Sequence, residues 1–263
     1  MRPPSPTFAQ GLTSAGLGAP DYELALKQHD AYCAALVQCG LTVTRLDPDS
    51  NHPDSTFVED TAIVTNHCAV LTRPGAASRA GEAESMRRAV AEFFPNLYSI
   101  NAPGTVDGGD VCEAGSHFFV GLSERTNDAG AQQLSEFLRS FGYTCSLVDI
   151  RNESSLLHLK SGIAYLGDNH RPTQAARAGT PDRLVVTEAF AGRAEFAGYD
   201  QVVVNPAEAY AANCVRVNEQ VLVAAGYAAF EEKLRELGYK TMALEMSEFQ
   251  KMDGGLSCLS LRF

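Results

Sequence analysis

The stretch Met252-Asp253-Gly254-Gly255-Leu256-Ser257-Cys258-Leu259-Ser260-Leu261-Arg262-Phe263 decides how this chain of 263 residues is interpreted. Its two glycines allow backbone angles that other residues resist, and the apolar residues after Cys258 alternate as in a half-buried strand. The pattern predicts that Cys258 lies where a flexible turn enters a strand, with its sulfur aimed into a cavity. For an isolated cysteine, a small apolar residue packed in a core is the more common outcome.

The same design recurs four times upstream, at intervals of 45 to 55 residues, and this repetition favours the cavity. The four corresponding strands begin Glu59-Asp60-Thr61-Ala62, Asp107-Gly108-Gly109-Asp110-Val111, His158-Leu159-Lys160-Ser161 and Asn213-Cys214-Val215-Arg216. Repeats of this length indicate a propeller or an array. We therefore predict a five-bladed, pseudo-symmetric α/β propeller of hairpin–helix–strand units around a central pocket. Since no low-complexity linker divides the chain, residues 1–263 are read as a single domain.

Periodicity and turn residues set the predicted elements. Helices are expected over Tyr22–Cys39, Ser78–Phe94, Asn127–Phe141 and Tyr227–Leu237, and the strands that follow them over Leu41–Leu46, Leu97–Ile100, Ser146–Ile150 and Lys240–Leu244. Hairpins are expected over 57–72, 107–122 and 211–224, and a less regular one from Leu156–Leu166 and Arg183–Thr187. The N-terminal helix and strand would complete the fifth unit, which the Cys258 stretch begins.

Composition is that of an ordinary soluble globular protein, with 45% hydrophobic and 20% charged residues. No run of about 18 apolar residues exists, which argues against a membrane span, and the N-terminus lacks the apolar region of a secretion signal. Seven cysteines without a Cys-x-x-Cys pair indicate reduced thiols and a cytoplasmic setting. A net charge of −11 disfavours nucleic acid as a partner and favours a cationic ligand.

The residues that would converge on the pocket are acidic, apart from one imidazole and one thiol: Asp54, Glu59, Asp60, Asp107, His158 and Cys258. Clustered carboxylates repel one another unless a cation, either a metal or an organic base, binds among them. A thiolate with a histidine forms a nucleophile and an acid/base pair. A guanidinium ligand suits the set, because its planar donors pair bidentately with carboxylates. Taken singly, His158 reads as a core histidine and Asp107–Asp110 as a plain turn.

Seven motifs in order along nearly the whole chain resemble those of the dimethylarginine dimethylaminohydrolases, a family of the guanidino-group-modifying (amidinotransferase-type) superfamily. The motifs are 54–60, 73–79, 107–111, Glu124–Asn127, Leu157–Ser161, Ala211–Cys214 and Asp253–Cys258. The resemblance implies a five-bladed α/β propeller that hydrolyses Nω-methylated arginines to citrulline plus dimethylamine or methylamine. It implies neither a cofactor nor a metal.

The resemblance also implies roles for individual residues. Cys258 would be the nucleophile, His158 the general acid/base, and Asp107 the carboxylate that orients His158. The residues implied to hold the substrate are the guanidinium clamp Asp54 and Glu59, the groups for its α-amino and carboxylate ends Asp60, Arg79 and Arg125, the lid residue Leu12, and the pocket residues Ser161, Met252 and Asp253. Family members carry a strand before the Arg-Pro pair of the N-terminus. Here Met1-Arg2-Pro3 leaves little of it, so a start upstream of Met1 stays open.

Three other interpretations compete with this one. Sister reactions, namely arginine hydrolysis, agmatine deimination and amidino transfer, share the nucleophile and differ in the pocket. A non-catalytic propeller would have lost the Cys-His-acid set, and a thiol protease would need a peptide groove and oxyanion donors, of which the sequence gives no sign. The sequence leaves open whether the protein forms a homodimer and whether mono- or dimethylarginine is preferred.

Overall fold

The computed structural model of the chain describes residues 1–153, 156–167 and 182–263. Its helices are α1 Tyr22–Gln38, α2 Glu82–Ala91, α3 Asp128–Ser140, α4 Ala228–Glu236 and α5 Ser247–Gln250. Its strands are β1 Ala62–Val64, β2 Ala69–Leu71, β3 Leu97–Ser99, β4 Val111–Ala114, β5 His117–Leu122, β6 Thr144–Asp149, β7 Ile163–Tyr165, β8 Arg183–Val186, β9 Asp200–Val203, β10 Val215–Val217, β11 Gln220–Ala224 and β12 Lys240–Leu244. Most of the connection predicted between Leu166 and Arg183 lies outside the described residues.

The strands form three-stranded sheets of one repeated design, in the orders β1-β2-β3, β4-β5-β6, β7-β8-β9 and β10-β11-β12. In every sheet the first two strands are antiparallel, and the third lies parallel to the second. A parallel neighbour requires a crossover, which α2, α3 and α4 provide in three of the sheets. Between β8 and β9 the crossover consists of the short 3-10 turns Glu188–Phe190 and Ala194–Phe196. Four units of the predicted propeller are thereby confirmed.

The fifth unit contains α1 and α5 and, within the described residues, no regular strand. The prediction of a strand over Leu41–Leu46 is wrong. Leu41 N–H donates back to the Leu36 carbonyl of α1 at 3.0 Å. Among the described residues, the remaining backbone bonds of this segment are both to Met1, whose ammonium group donates to the Thr44 carbonyl at 2.9 Å and whose carbonyl accepts from Leu46 N–H at 2.8 Å. Two bonds to a single residue are too few to form a ladder. The strand predicted after Cys258 is also absent, because Ser257–Leu259 forms a 3-10 turn and the last residues pair with no neighbouring strand.

Helix ends follow the capping residues of the sequence. The Asp21 side chain accepts from Leu24 N–H at 2.9 Å at the start of α1, and Asn127 accepts from Gly130 N–H at 2.8 Å at the start of α3. Gly142 follows α3 with a φ of 88°, which favours glycine. Helix α2 begins at Glu82 and not at Ser78 as predicted, because Ala77–Arg79 forms a separate 3-10 turn.

Apolar side chains fill the space between the helices α2, α3 and α4 and their sheets. In the second unit, Leu134 and Leu138 of α3 pack in one buried cluster with Phe118 and Val120 of β5. Burying side chains of this size stabilises the fold by about 1.5–3 kcal/mol each. Within the described residues, no helix has the length and apolarity needed to cross a bilayer.

Five 3-10 turns, here called the site turns, surround the centre of the molecule: Val58–Thr61, Gly108–Asp110, Leu159–Ser161, Pro206–Ala212 and Ser257–Leu259. The first four site turns contact one another in sequence, and the first contacts the last. Asn213, directly after the fourth turn, completes the ring. It donates to Ser257 Oγ at 3.1 Å and accepts from Ser257 N–H at 2.9 Å.

The polar openings of the repeats therefore lie in turns, although the sequence predicts them in strands. The hydrogen bonds of these openings explain the difference. Gly109 N–H donates to Asp60 Oδ1 at 2.8 Å, and Leu159 N–H donates to Asp110 Oδ1 at 3.0 Å. Buried carboxylates need such donors, and a turn leaves backbone N–H groups free that a strand ladder would use.

Candidate active site

A small cavity of about 50 Å³ lies among the site turns. Five of the residues predicted from the sequence line it: Cys258, His158, Glu59, Ser161 and Asp253. Residues separated by as many as two hundred positions in the chain thus meet at one place. The thiol and the imidazole share this cavity, as the prediction of a nucleophile and an acid/base pair requires.

His158 is held from behind by Asp107. His158 Nε2 lies 3.1 Å from Asp107 Oδ2, and the other oxygen of Asp107 accepts from Gly75 N–H at 2.8 Å. Burial by itself lowers the pKa of His158, but Asp60, Asp110 and Asp107 outweigh it and raise that pKa to about 9. The imidazole is therefore protonated at neutral pH and can donate a proton into the cavity.

Asp110, to which the sequence assigned no role, fixes the turn that carries His158. Its Oδ1 accepts from Leu159 N–H at 3.0 Å, and its Oδ2 accepts from Ser123 Oγ at 2.6 Å and Thr126 Oγ1 at 2.7 Å. The residue is fully buried, and burial raises its pKa. The sequence signal for this role of Asp110 was that Asp107-Gly-Gly-Asp110 contains a second carboxylate, which a turn does not need in order to form.

Cys258 is a thiol, and not a thiolate, at neutral pH. Gly255 N–H donates to its sulfur at 3.4 Å. Burial, followed by the negative charges of Glu59 and Asp60, raises the pKa of Cys258 to about 12. The resting pair is thus a neutral thiol and an imidazolium, and a positive charge placed beside the sulfur would favour its ionisation.

Glu59 is buried at 4% exposure, and both of its carboxylate oxygens have partners. Lys160 Nζ lies 2.5 Å from Oε1, and Ser257 Oγ donates to Oε2 at 2.7 Å. Lys160 also lines the cavity, as do Tyr210 and Asn213, and none of these three was predicted as a site residue. The signal for Lys160 was its position two residues after His158 in one turn.

Asp60 and Arg79 lie behind the cavity wall. Arg79 Nη1 lies 2.7 Å from Asp60 Oδ2, and Arg79 Nε bonds both oxygens of Glu82 at 3.1 Å. Burial favours a raised pKa for Asp60, but His158 and Arg79 outweigh it and lower that pKa to about 2. Arg79 is only 6% exposed. It neutralises the acids around His158, and its direct contact with a substrate stays a prediction.

The N-terminal loop covers one side of the site and brings together four predicted residues. Leu12 N–H donates to both oxygens of Asp54, at 3.0 and 3.2 Å. Ser14 donates to Asp253 Oδ2 from its N–H at 2.5 Å and from its Oγ at 3.0 Å. The Leu12 side chain is 41% exposed, whereas Met252 is buried beneath the loop. These bonds hold the N-terminal loop against Asp54 and Asp253, and its role as a lid stays a prediction.

Arg125 differs from Arg79 in having an uncommitted side chain. It is partly exposed, and its guanidinium makes no hydrogen bond or ion pair to any residue that the structure describes. Its backbone lies so close to Gly75 that any side chain there would clash. Its positive charge, like that of Arg79, opposes the increase that burial causes in the pKa of Asp54. A guanidinium that has no partner among the described residues suits an anionic group of a ligand.

Within the described residues, Asp60, Asp107 and His158 bring three potential metal-ligand atoms within 4.8 Å of one another. The groups already have partners, however. Arg79 and Gly109 bind Asp60, while Gly75 and His158 bind Asp107. A metal at this place would have to displace these bonds and the proton of His158.

Comparisons with known proteins agree with this geometry, although no protein-family model matches the chain. The chain is 43% identical over its full length to 97% of the N(G),N(G)-dimethylarginine dimethylaminohydrolase of Pseudomonas aeruginosa, and 34% identical over its full length to 95% of the enzyme of the same name from Streptomyces coelicolor. Among solved structures, it superposes with a TM-score of 0.92, 42% identity and 97% coverage on a cysteine-to-serine mutant of the Pseudomonas aeruginosa enzyme in complex with citrulline.

A histidine-to-glycine variant of a dimethylarginine dimethylaminohydrolase, solved as an adduct with S-methyl-L-thiocitrulline, superposes with a TM-score of 0.91 and 42% identity, covering all of this chain and 97% of that one. The N-terminal domain of a cyanobacterial arginine dihydrolase shares the fold, with a TM-score of 0.84 at 20% identity, covering all of this chain and 96% of that one. By the extent and level of these identities, the chain belongs to the dimethylarginine dimethylaminohydrolase family.

Proposed function

We propose that this protein hydrolyses Nω-methylated arginines, asymmetric dimethylarginine and monomethylarginine, to citrulline plus dimethylamine or methylamine. The observation that carries the proposal is that Cys258 and His158 line one cavity with Glu59, while Asp107 holds the imidazole from behind. Membership of the family supports the same reaction. The complex of the Pseudomonas aeruginosa enzyme with citrulline is consistent with this product.

The charges of the site suit a cationic amino acid. Glu59 faces the cavity with a carboxylate that can accept from a guanidinium, and Asp54 lies under the lid. The uncommitted guanidinium of Arg125 suits the α-carboxylate at the other end of the substrate. Agmatine lacks this carboxylate, so Arg125 favours an arginine derivative over agmatine.

The mechanism begins with the thiol. A guanidinium bound beside Cys258 lowers the pKa of the thiol, which then loses its proton to solvent water and becomes the thiolate. The sulfur attacks the guanidinium carbon, and a C–S bond forms. The bond from this carbon to the methylated nitrogen then breaks, as the imidazolium of His158 gives its proton to the departing amine. A covalent thiouronium-like intermediate remains.

In the second half, the now neutral His158 takes a proton from water, and the resulting hydroxide attacks the same carbon. The C–S bond breaks as the added hydroxyl group loses its proton to the departing sulfur, citrulline is released, and the neutral thiol and the imidazolium are restored. Asp107 stabilises the imidazolium at both stages, because its carboxylate stays within hydrogen-bond distance of Nε2. The protonated resting state of His158 matches the acid required in the first half.

The test is citrulline release from asymmetric dimethylarginine by the purified protein, with free arginine as the competing substrate. Cys258→Ser is expected to abolish turnover and to retain substrate binding. Cys145→Ser is the matched control, since Cys145 is also partly buried and lies on β6, outside the cavity. Citrulline production by Cys258→Ser refutes the assignment of the nucleophile. Faster release from arginine than from dimethylarginine would favour the sister reaction.

Three further interpretations stay predictions: a single domain spanning 1–263, a cytoplasmic location, and the homodimer that the sequence leaves open. Gel filtration with light scattering measures the last of these directly.

A further inference from the structure

A second cavity of about 180 Å³ lies behind the active cavity, between the inner strands β1, β4, β7 and β10. Glu59, Lys160 and Asn213 line both cavities, so these three side chains form the partition between them. Lys160 thus contacts the Glu59 carboxylate within the wall of the active cavity.

The bonds within the partition leave Glu59 little freedom. Lys160 Nζ bonds one carboxylate oxygen at 2.5 Å, and Ser257 Oγ bonds the other at 2.7 Å. Lys160 is itself held, because Asn213 Nδ2 donates to its carbonyl at 2.9 Å and its turn is tied to Asp110 through Leu159 N–H. One short turn therefore aims His158 at Asp107 and Lys160 at Glu59.

We propose that Lys160 is a positioning residue, which holds the Glu59 carboxylate in the orientation that receives the guanidinium group and shares its negative charge with the bound substrate. The inference rests on the proposed function, and it adds a residue that acts through Glu59.

The physical consequence follows from the acceptor capacity of a carboxylate. Its two oxygens offer about four acceptor positions, of which Lys160 and Ser257 occupy one on each oxygen. The remaining positions are left for the guanidinium. Without Lys160, Glu59 would pair its whole charge with the bound cation already in the ground state. Tighter binding of the ground state lowers KM without raising kcat.

Loss of Lys160 should also lower kcat through its effect on the thiol of Cys258. Lys160 places a positive charge beside the thiol and opposes the negative charges of Glu59 and Asp60. Removing this charge makes the thiolate harder to form. Loss of Lys160 should therefore lower kcat and KM together, whereas a merely structural defect would lower kcat and leave the titration of the thiol unchanged.

The experiment compares Lys160→Met and Lys160→Arg with Lys233→Met, a control in which an exposed lysine of α4 loses its bond to the Val203 carbonyl. Steady-state kinetics with asymmetric dimethylarginine and the pH dependence of Cys258 alkylation by iodoacetamide are measured for all variants. For Lys160→Met we expect kcat to fall by about tenfold or more, the equivalent of one pKa unit, with a lower KM and alkylation shifted to higher pH. Lys160→Arg, which keeps the charge, should restore most of the rate.

Wild-type turnover is measured first, because its absence refutes the proposed function and not the role of Lys160. With turnover present, the role of Lys160 is refuted if kcat of Lys160→Met stays within about twofold of wild type, an effect well below one pKa unit. It is also refuted if kcat falls while both KM and the alkylation profile stay unchanged.

Discussion

A bound guanidinium should convert the Cys258 thiol into a thiolate, and the perturbation that tests this is a pair of ligands that differ in charge. An N-alkylguanidine that shows no turnover is compared with the N-alkylurea of the same chain length, which is nearly isosteric and neutral. Both should occupy the cavity shared by Cys258, His158 and Glu59. Only the guanidine brings a positive charge to the sulfur.

The magnitude follows from the charges of the site. With a pKa of about 12 for Cys258, the thiolate fraction near neutral pH is about 10⁻⁵ by the titration equation. A unit charge about 4 Å away, at an effective dielectric constant of about 20, contributes about 4 kcal/mol. That energy corresponds to about 3 pKa units, so the liganded thiol should titrate at a pKa of about 9.

The assay is the ultraviolet absorbance of the thiolate, followed from neutral to strongly alkaline pH with each ligand at saturation. The protein contains nine tyrosines, and ionised phenols also absorb in the ultraviolet, so the titration of Cys258→Ser under identical conditions is subtracted. We expect the guanidine to lower the thiol pKa by about 3 units and the urea to leave it nearly unchanged. An equal shift with both ligands, or none with the guanidine, would refute activation of the thiol by the substrate's charge.

Three further predictions concern the residues around this pair. Because the pKa of His158 is raised to about 9, its proton stabilises the fold by about 3 kcal/mol below about pH 6.5, and this contribution is lost as pH rises through about 9. In denaturant unfolding, the difference in the free energy of unfolding between wild type and His158→Gln should therefore shrink over that pH range. A difference that stays constant with pH would contradict the raised pKa. Arg125→Met should raise KM for dimethylarginine by about tenfold to a hundredfold, which is the contribution of a charge-assisted hydrogen bond. The slow hydrolysis of a dimethylguanidine that lacks a carboxylate should stay unchanged. An equal loss of activity with both substrates would exclude Arg125 as the partner of the carboxylate. Asp253→Asn keeps a residue type that tolerates the φ of 56° at this position but weakens the bonds to Ser14. In steady-state assays, KM should therefore rise by about tenfold while kcat changes little. An unchanged KM would show that the contact between Asp253 and Ser14 does not contribute to substrate binding.

The four regular blades could be predicted from the sequence because their signals are local. Alternation in the hairpins and glycines such as Gly142 and Gly238 after the helices are read within a few residues. The fifth blade could not be predicted in detail, since it depends on contacts between segments far apart. Leu41–Leu46 alternates as a strand does, yet no strand among the described residues lies beside it, and Met1 alone pairs with its extended part. Alternation predicts a strand only where a neighbouring strand is available.

The candidate site, too, could be predicted only in part from the sequence. The repeat predicts that the openings meet, and the cavity brings Cys258, His158 and Glu59 together. The sequence does not show in which direction a long side chain points. No role was therefore predicted for Lys160, although its ammonium group binds Glu59. For the same reason, sequence cannot distinguish Arg79, which is engaged by Asp60 and Glu82, from Arg125, which is not.

The contact between Tyr32 of α1 and Ser260, at 2.9 Å between their hydroxyl oxygens, joins residues 228 positions apart. Loop-closure entropy delays such pairings during folding. The thiol belongs to the segment that this pairing fixes in place, so the catalytic centre should assemble in the final stage of refolding. Recovery of activity after dilution from denaturant would then lag behind the return of secondary structure. The time course of this recovery would measure how fast the ring of site turns closes.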